Sequence, residues 1–338
     1  MSPAKRLMVA NMHFNSDNSR LRPHYCNHST TSVKCRRLLL VCSALALAVP
    51  WPARAQFTDP RNYENVPVGL NQLEVTYAYS QANTSIDPAI VIVGAKLNLN
   101  QTSIGYTRYF SLFHRMAWVK PSIPIAVLNG SISGTNVSGS VAGAGDSNYE
   151  VAVLLKGGPA LSVAEFTKYK PTTTVGVSLA VTAPTGLYSQ DKVLNLGADR
   201  WSFKPEVGVF YPFGPERKLA FDAYANSYFF TANTSYRGVE VLRQQPLPAF
   251  EGHISYSFLD SLLGSLDARY SFRGDTSVDN LDQNDSQRNF ILGSEVIVSL
   301  NARNSFRVTV AKALVHRNGP AVTGISVKYD YVWGKGYR

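Results

Sequence analysis

Between Trp201 and Tyr211 the chain alternates in kind. Trp201, Phe203, Val207, Val209 and Tyr211 share one parity, and Ser202, Lys204, Glu206 and Gly208 share the other. A strand sends successive side chains to opposite faces, so this segment sets an aromatic and aliphatic wall against a face with two charges. Two architectures use such a strand. In a soluble sandwich the apolar face is the core and the charges meet water. In a membrane barrel the apolar face meets lipid and the charges line the interior. The segment alone fits both.

The same period recurs over residues 69–333, with turn residues between segments. Leu73, Val75, Tyr77 and Tyr79 alternate with Glu74, Thr76, Ala78 and Ser80, and Ile104, Tyr106 and Phe110 mark a second strand. A third, 116–127, contains Pro121 and Pro124, which a sheet tolerates only at an edge or a bulge. Further strands fall at 149–155, 173–181, the segment beginning at Trp201, 218–230, 250–258, 266–273, 290–300, 305–315 and 323–333. The total is about twelve, an even number. Connections 111–115, 212–217, 259–263 and 301–304 are short, whereas 129–147, 183–199, 231–247 and 274–289 are long and polar. Short periplasmic turns and long outer loops have this asymmetry in outer-membrane barrels. Two connections depart from it: 157–171 is long on the short side, and 316–320 is short on the long side. The fold class expected is all-β, a transmembrane antiparallel up-and-down β-barrel of about 12 strands. One short periplasmic-side helix is expected where Ser162-Val163-Ala164-Glu165 forms a capping box and the chain continues to Tyr169.

The N-terminal region reads differently. Lys34, Arg36 and Arg37 precede the apolar run 38–49, followed by Ala53-Arg54-Ala55, the arrangement of a secretory signal peptide cut after Ala55. Residues 1–32 are expected to be an extension upstream of a true start near Val33, 33–55 the signal peptide, 56–68 a short lead-in, 69–333 the barrel and 334–338 a tail. No apolar stretch of about 18 residues follows the signal, which excludes a helical membrane bundle. The formal charge of +10 invites a nucleic-acid reading, but eight Lys/Arg and one acid lie in 1–55, leaving 25 bases against 22 acids without a basic stripe. All three cysteines fall in the removed region, as suits an exported chain without disulfides.

The charges on polar parities are candidates for the barrel lumen: Glu74, Lys204, Glu206, Asp222, Glu251, His253, Asp267, Arg269, Arg273, Glu295, Arg307, Lys328 and Asp330. Such a mixture either pairs off or makes a selective constriction. A barrel lipase would need Ser and His together on the lipid-facing side. The histidines after residue 55 are His114 in a turn, His253 facing inward and His316 in a loop, so no catalytic residue is assigned and no enzyme is expected. Asp275, Asp279, Asp282 and Asp285 crowd one loop without calcium-loop spacing, and Gly139–Gly145 lacks the Gly-Lys-Ser/Thr of a phosphate loop. The first reads as a solvated outer loop, with a divalent site bridging lipid phosphates as the alternative, and the second as a flexible one. No metal or cofactor is expected. On the last strand, Tyr329, Tyr331 and Trp333 resemble the C-terminal aromatic signal by which barrel-assembly machinery recognises its clients, although residues 334–338 follow it.

The segments PTG (184–186), LNLGADRWSFKPEVGV (194–209), PALSVAEFTKY (159–169) and DARYSFRGDTSVDN (267–280) resemble the outer-membrane transporter family named for the meta-pathway of phenol degradation. The resemblance runs in order through most of 69–333. It implies a barrel in the outer membrane of a Gram-negative cell, with outer-membrane lipids and a small-molecule solute as partners. The function it implies is passive uptake of small, aromatic or other hydrophobic solutes. The alternative is a non-conducting structural or adhesive barrel.

Overall fold

A barrel strand needs both edges paired, because an unpaired N–H or C=O in hydrocarbon is costly. The computed structural model describes residues 57–82, 95–132, 136, 138–192, 194–319 and 321–337. The expected signal peptide and upstream extension lie outside these residues. Seventeen strands are numbered in chain order, and twelve of them close the wall. These are β1 (Leu70–Ala82), β2 (Ala95–Leu112), β3 (Arg115–Ile132), β5 (Ser147–Lys156), β6 (Thr174–Ala183), β7 (Ser202–Phe213), β8 (Leu219–Phe230), β11 (Leu247–Leu259), β12 (Leu262–Arg273), β15 (Gln287–Ser299), β16 (Asn304–Arg317) and β17 (Thr323–Gly334). Each pairs antiparallel with the next, and β17 closes on β1 with Glu74 opposite Asp330 and Thr76 opposite Lys328.

Burial is inverted relative to a soluble sandwich, which settles what the alternation left open. On β11, Phe250, Ile254, Tyr256 and Phe258 are 42–59% exposed, whereas Glu251, His253, Ser255 and Ser257 are at most 4% exposed. The apolar parity forms the outer surface and the polar parity the inside. On β7 likewise, Trp201 just before the strand, Phe203 and Val207 are exposed and Glu206 is buried.

Pro121 and Pro124 flank a change of partner. Strand β3 pairs with β5 through Ala117–Ser122 and with β4 (Ser138–Ala144) from Ile125, with a one-residue change of register. Residues 145–147 face only Ile123 and Pro124, and the one extra residue makes the bulge at which proline is tolerated. The glycine-rich segment read as a flexible loop is therefore largely a strand. Similarly, β9 (Asn233–Tyr236), β10 (Glu240–Gln244), β13 (Thr276–Val278) and β14 (Leu281–Asp282) make a four-stranded sheet from two of the long loops.

Helix α1 (Val163–Phe166) is one turn, with Ser162 and Glu165 exchanging both capping-box hydrogen bonds. Its buried Val163 packs with Leu70, Ala302 and Tyr337 of the C-terminal tail. The lead-in expected over 56–68 is described from residue 57, and it turns back inside the barrel.

Candidate functional site

The register of the wall brings the predicted inward charges to one lumen. Glu251 on β11 lies opposite Tyr224 of β8 and Arg269 of β12, and His253 lies between Asp222 and Asp267. Arg269 donates to Glu251 Oε1 at 2.9 Å, His253 Nδ1 lies 2.8 Å from Asp267 Oδ1, and Lys204 lies 3.2 Å from Glu206. Across the lumen, Arg307 donates to Glu295 Oε1 at 2.7 Å, and Lys328 Nζ lies 3.8 Å from Glu74. Asp330 accepts from Gln72 at 3.0 Å. Arg273 stands apart, exposed at the outer end of β12 in a left-handed conformation with φ of 66°.

These groups do not meet each other across open water, because residues 57–69 stand between them. The backbone N–H of Thr58 donates to Glu251 Oε2 at 2.7 Å, and its hydroxyl donates to Glu206 Oε2 at 2.9 Å. Arg61 N–H donates to Asp222 at 3.1 Å and its Nε to Ser255 at 2.7 Å. Asp59 faces the other way, 2.6 Å from Lys328 Nζ and 3.5 Å from Arg307. Burial opposes ionisation of Asp59, but Arg307, Lys328 and Lys120 outweigh it and hold the carboxyl well below the usual range. The segment is thus strapped between carboxylates of β7, β8 and β11 on one side and cations of β3, β16 and β17 on the other.

Two aromatic rings fix its position. Tyr63 is fully buried, and a Cβ on Gly176 or on its cross-strand partner Gly208 would fall inside the Tyr63 ring. The two glycines form a slot, the close approach that a strand glycine permits. The Tyr63 hydroxyl also donates to Glu206 Oε1 at 3.1 Å and lies 3.0 Å from Ser178 Oγ, whose own hydroxyl can donate to it, and its ring lies 5.7 Å from Trp118 and 5.5 Å from Tyr224. Phe57 lies over Gly293 and meets the His253 ring edge-on at 6.0 Å.

Beside this plug a polar cavity of about 110 Å³ remains, lined by Asp59, Gln72, Glu74, Tyr109, Lys120 and Arg307 with others. Lys120, on β3, reaches Glu74 at 2.6 Å. That volume holds several waters. The sequence reading missed Lys120 because the prolines obscured the parity of its strand, and it missed Asp59, Arg61 and Tyr63 because they precede the first strand. Inward glycines at 176 and 208 were the available signal.

At the outer mouth, the connection 184–199 is tied down by one carboxylate. Asp146 accepts from Gly186 N–H and Ala198 N–H, both at 2.8 Å. Leu196 is fully buried against the inward side chains Leu97, Leu99, Ala126 and Leu128, so the connection caps one side of the lumen. Tyr329, Tyr331 and Trp333 lie on the outer face of β17, where Tyr331 and Trp333 stack at 5.5 Å and Tyr329 meets Phe306 at 5.2 Å. Among the described residues no cluster of His, Cys, Asp and Glu could hold a metal ion. In the loop of four aspartates, Asp285 accepts from Thr276 and Asp279 from Val241 N–H.

Residues 74–329 match the family profile described as "Putative MetA-pathway of phenol degradation". Among solved structures, the COG4313 outer membrane channel from Pseudomonas putida F1 superposes with a TM-score of 0.70 at 20% identity, covering 82% of this chain and 100% of that one. The β domain of the Bordetella autotransporter BrkA aligns at 10% identity with a TM-score of 0.46, over 78% of this chain and 99% of that one. The CymD monoaromatic hydrocarbon channel aligns at 8% identity with a TM-score of 0.40, over 80% and 89%. A search of curated proteins gave no match.

Proposed function

The chain belongs to the family named for the MetA-pathway of phenol degradation, and on that premise we propose that it is an outer-membrane channel for passive uptake of small solutes, aromatic or otherwise apolar. The observation that carries this reading is the lumen itself: a closed wall, apolar outside, encloses a polar interior occupied by a segment of the chain held without covalent bonds. A purely structural barrel needs only side chains that pair across the wall. Here the wall carries a glycine slot and two sets of charges matched to that segment. The inward residues, those named from sequence together with Lys120, then act in two ways. Glu206, Asp222, Glu251, Lys328 and Arg307 hold the plug, while Glu74, Lys120 and Asp330 border the cavity beside it. The fold shared with a protein described as an outer membrane channel agrees with this reading.

The long connections face the cell exterior and the short turns with α1 face the periplasm. Tyr329, Tyr331 and Trp333 present the outward aromatic surface that the barrel-assembly machinery reads, and lipid covers the outer face. The inward His253 serves the wall and the plug rather than hydrolysis. Purified protein in planar bilayers tests the proposal. Stepwise conductance, with swelling of liposomes in aromatic solutes, is expected. Silence in both assays, for the full chain and for a chain lacking 57–68, sinks it.

A further inference from the structure

Two arginines face each other on the outside of the wall. Arg288 of β15 is the direct cross-strand partner of Arg317 of β16, both are exposed, and both sit at the outer ends of their strands. Like charges directly opposite in an antiparallel pair repel, with Cβ atoms about 5 Å apart. Neither guanidinium has an ion pair among the described residues. The pair is not on the polar inner parity. Asn289 and Gln287, its neighbours along β15, are buried, whereas Arg288 shares the outward face with Phe290 and Leu292.

Immediately below the arginines this face becomes lipid-exposed hydrocarbon. Leu292, Leu314 and Val315 are 42–52% exposed. Lys312, opposite Leu292, is exposed within that belt. A lysine placed among lipid-facing residues extends its stem along the apolar surface and carries its ammonium to the headgroup level. By strand rise its backbone is about 13 Å below that of Arg288, and both side chains extend toward the same boundary. Of the aspartates in the preceding loop, Asp279 and Asp285 are turned to backbone N–H groups of the outer sheet.

We propose that Arg288, Arg317 and Lys312 form a binding site for the phosphate groups of an anionic outer-leaflet glycolipid. A paired guanidinium fork suits phosphate oxygens, and an anion between the two arginines converts their repulsion into attraction. The apolar belt beneath receives the acyl chains of the same molecule. The site lies outside the lumen, so it goes beyond solute uptake. It requires only that the barrel be membrane-embedded with its long connections outward.

The test uses the full-length mature chain in phosphatidylcholine vesicles containing bis-phosphorylated lipid A or its dephosphorylated form. Bound glycolipid is counted per barrel after re-isolation. Wild type is expected to retain phosphorylated lipid A at least tenfold more tightly than the dephosphorylated form, and R288Q/R317Q to lose that preference. K312Q is expected to lose part of it. Higher salt should weaken retention by wild type and leave the double variant unchanged. Equal retention by wild type and R288Q/R317Q overturns the proposal, as does equal binding of the two lipids. Competition by millimolar inorganic phosphate would assign the arginines to a free anion instead and would also overturn it. Heat-modifiable migration on gels, expected of every variant, reports barrel insertion separately.

Discussion

Tyr63 occupies space that exists only because Gly176 and Gly208 have no side chains. Replacing Gly208 with Val puts two methyl groups where the ring lies, and the wall, hydrogen-bonded on both edges, has less freedom to yield than the plug. Gly208→Val is therefore expected to expel the segment and raise single-channel conductance, whereas the outward Val207→Ala is expected to leave it unchanged. Tyr63→Ala removes the ring and leaves the slot empty. Its docking should weaken by about 3 kcal/mol on the scale of buried aromatic truncations, measured as the denaturant dependence of protease access to residues 57–69.

Asp59 gives the plug a defined pH response. Its carboxyl is held below the ordinary Asp value of about 3.9 when docked and returns to it when released. A depressed docked value means that its contribution is fully present above the ordinary value and is lost as pH falls beneath it. The part of plug docking that Asp59 supplies is expected to be constant from about pH 8 to 5, and the rise in conductance that its loss causes to come only below about pH 4. A rise in conductance at clearly higher pH would mean that a group other than Asp59 latches the plug.

At the scale of elements, the connections carry as much design as the strands. The capping box was legible because its spacing is local: Ser162 and Glu165 are three residues apart and bond each other. Where helix α1 docks was not legible, since it depends on Leu70, Ala302 and Tyr337 at distant points of the chain. Tyr337 is buried and donates its hydroxyl to Ala302. Tyr337→Ala should lower barrel stability by roughly 3 kcal/mol, read as a shift in the urea midpoint for the vesicle-inserted protein. The connection 184–199 depends on one residue in the same way. Asp146→Ala leaves the N–H groups of Gly186 and Ala198 without their acceptor, at about 1–3 kcal/mol each. Faster amide exchange is expected at both positions and slower exchange to persist along β5. Unchanged exchange at Gly186 would mean that the leucine packing, not the carboxylate, holds the connection.

At the scale of the molecule, polarity is reversed about a wall one residue thick. Substitutions one position apart should therefore behave oppositely. Ile254→Arg places a charge in lipid and should cost about 2–4 kcal/mol if the position lies near the bilayer midplane. The neighbouring His253 and Ser255 face the plug, and their replacement is expected to change conductance more than insertion.

The alternation of β7, β11 and β12, the short turns and the proline pair at 121 and 124 determined strand number, the two faces of each strand and the place of a bulge. Side-chain parity, turn chemistry and the missing N–H of proline are properties of a few adjacent residues, so they are written locally. Whether the charged face met water or a lumen depended on closure, which β17 achieves only by reaching β1 at the opposite end of the chain. The plug belongs wholly to the tertiary level. Asp59 meets Lys328 across a sequence separation of 269 residues, and Thr58 meets Glu206 and Glu251 across 148 and 193. Those pairings exist because a closed wall brings distant strands around one axis, and no periodicity along the chain encodes which segment will fill that axis.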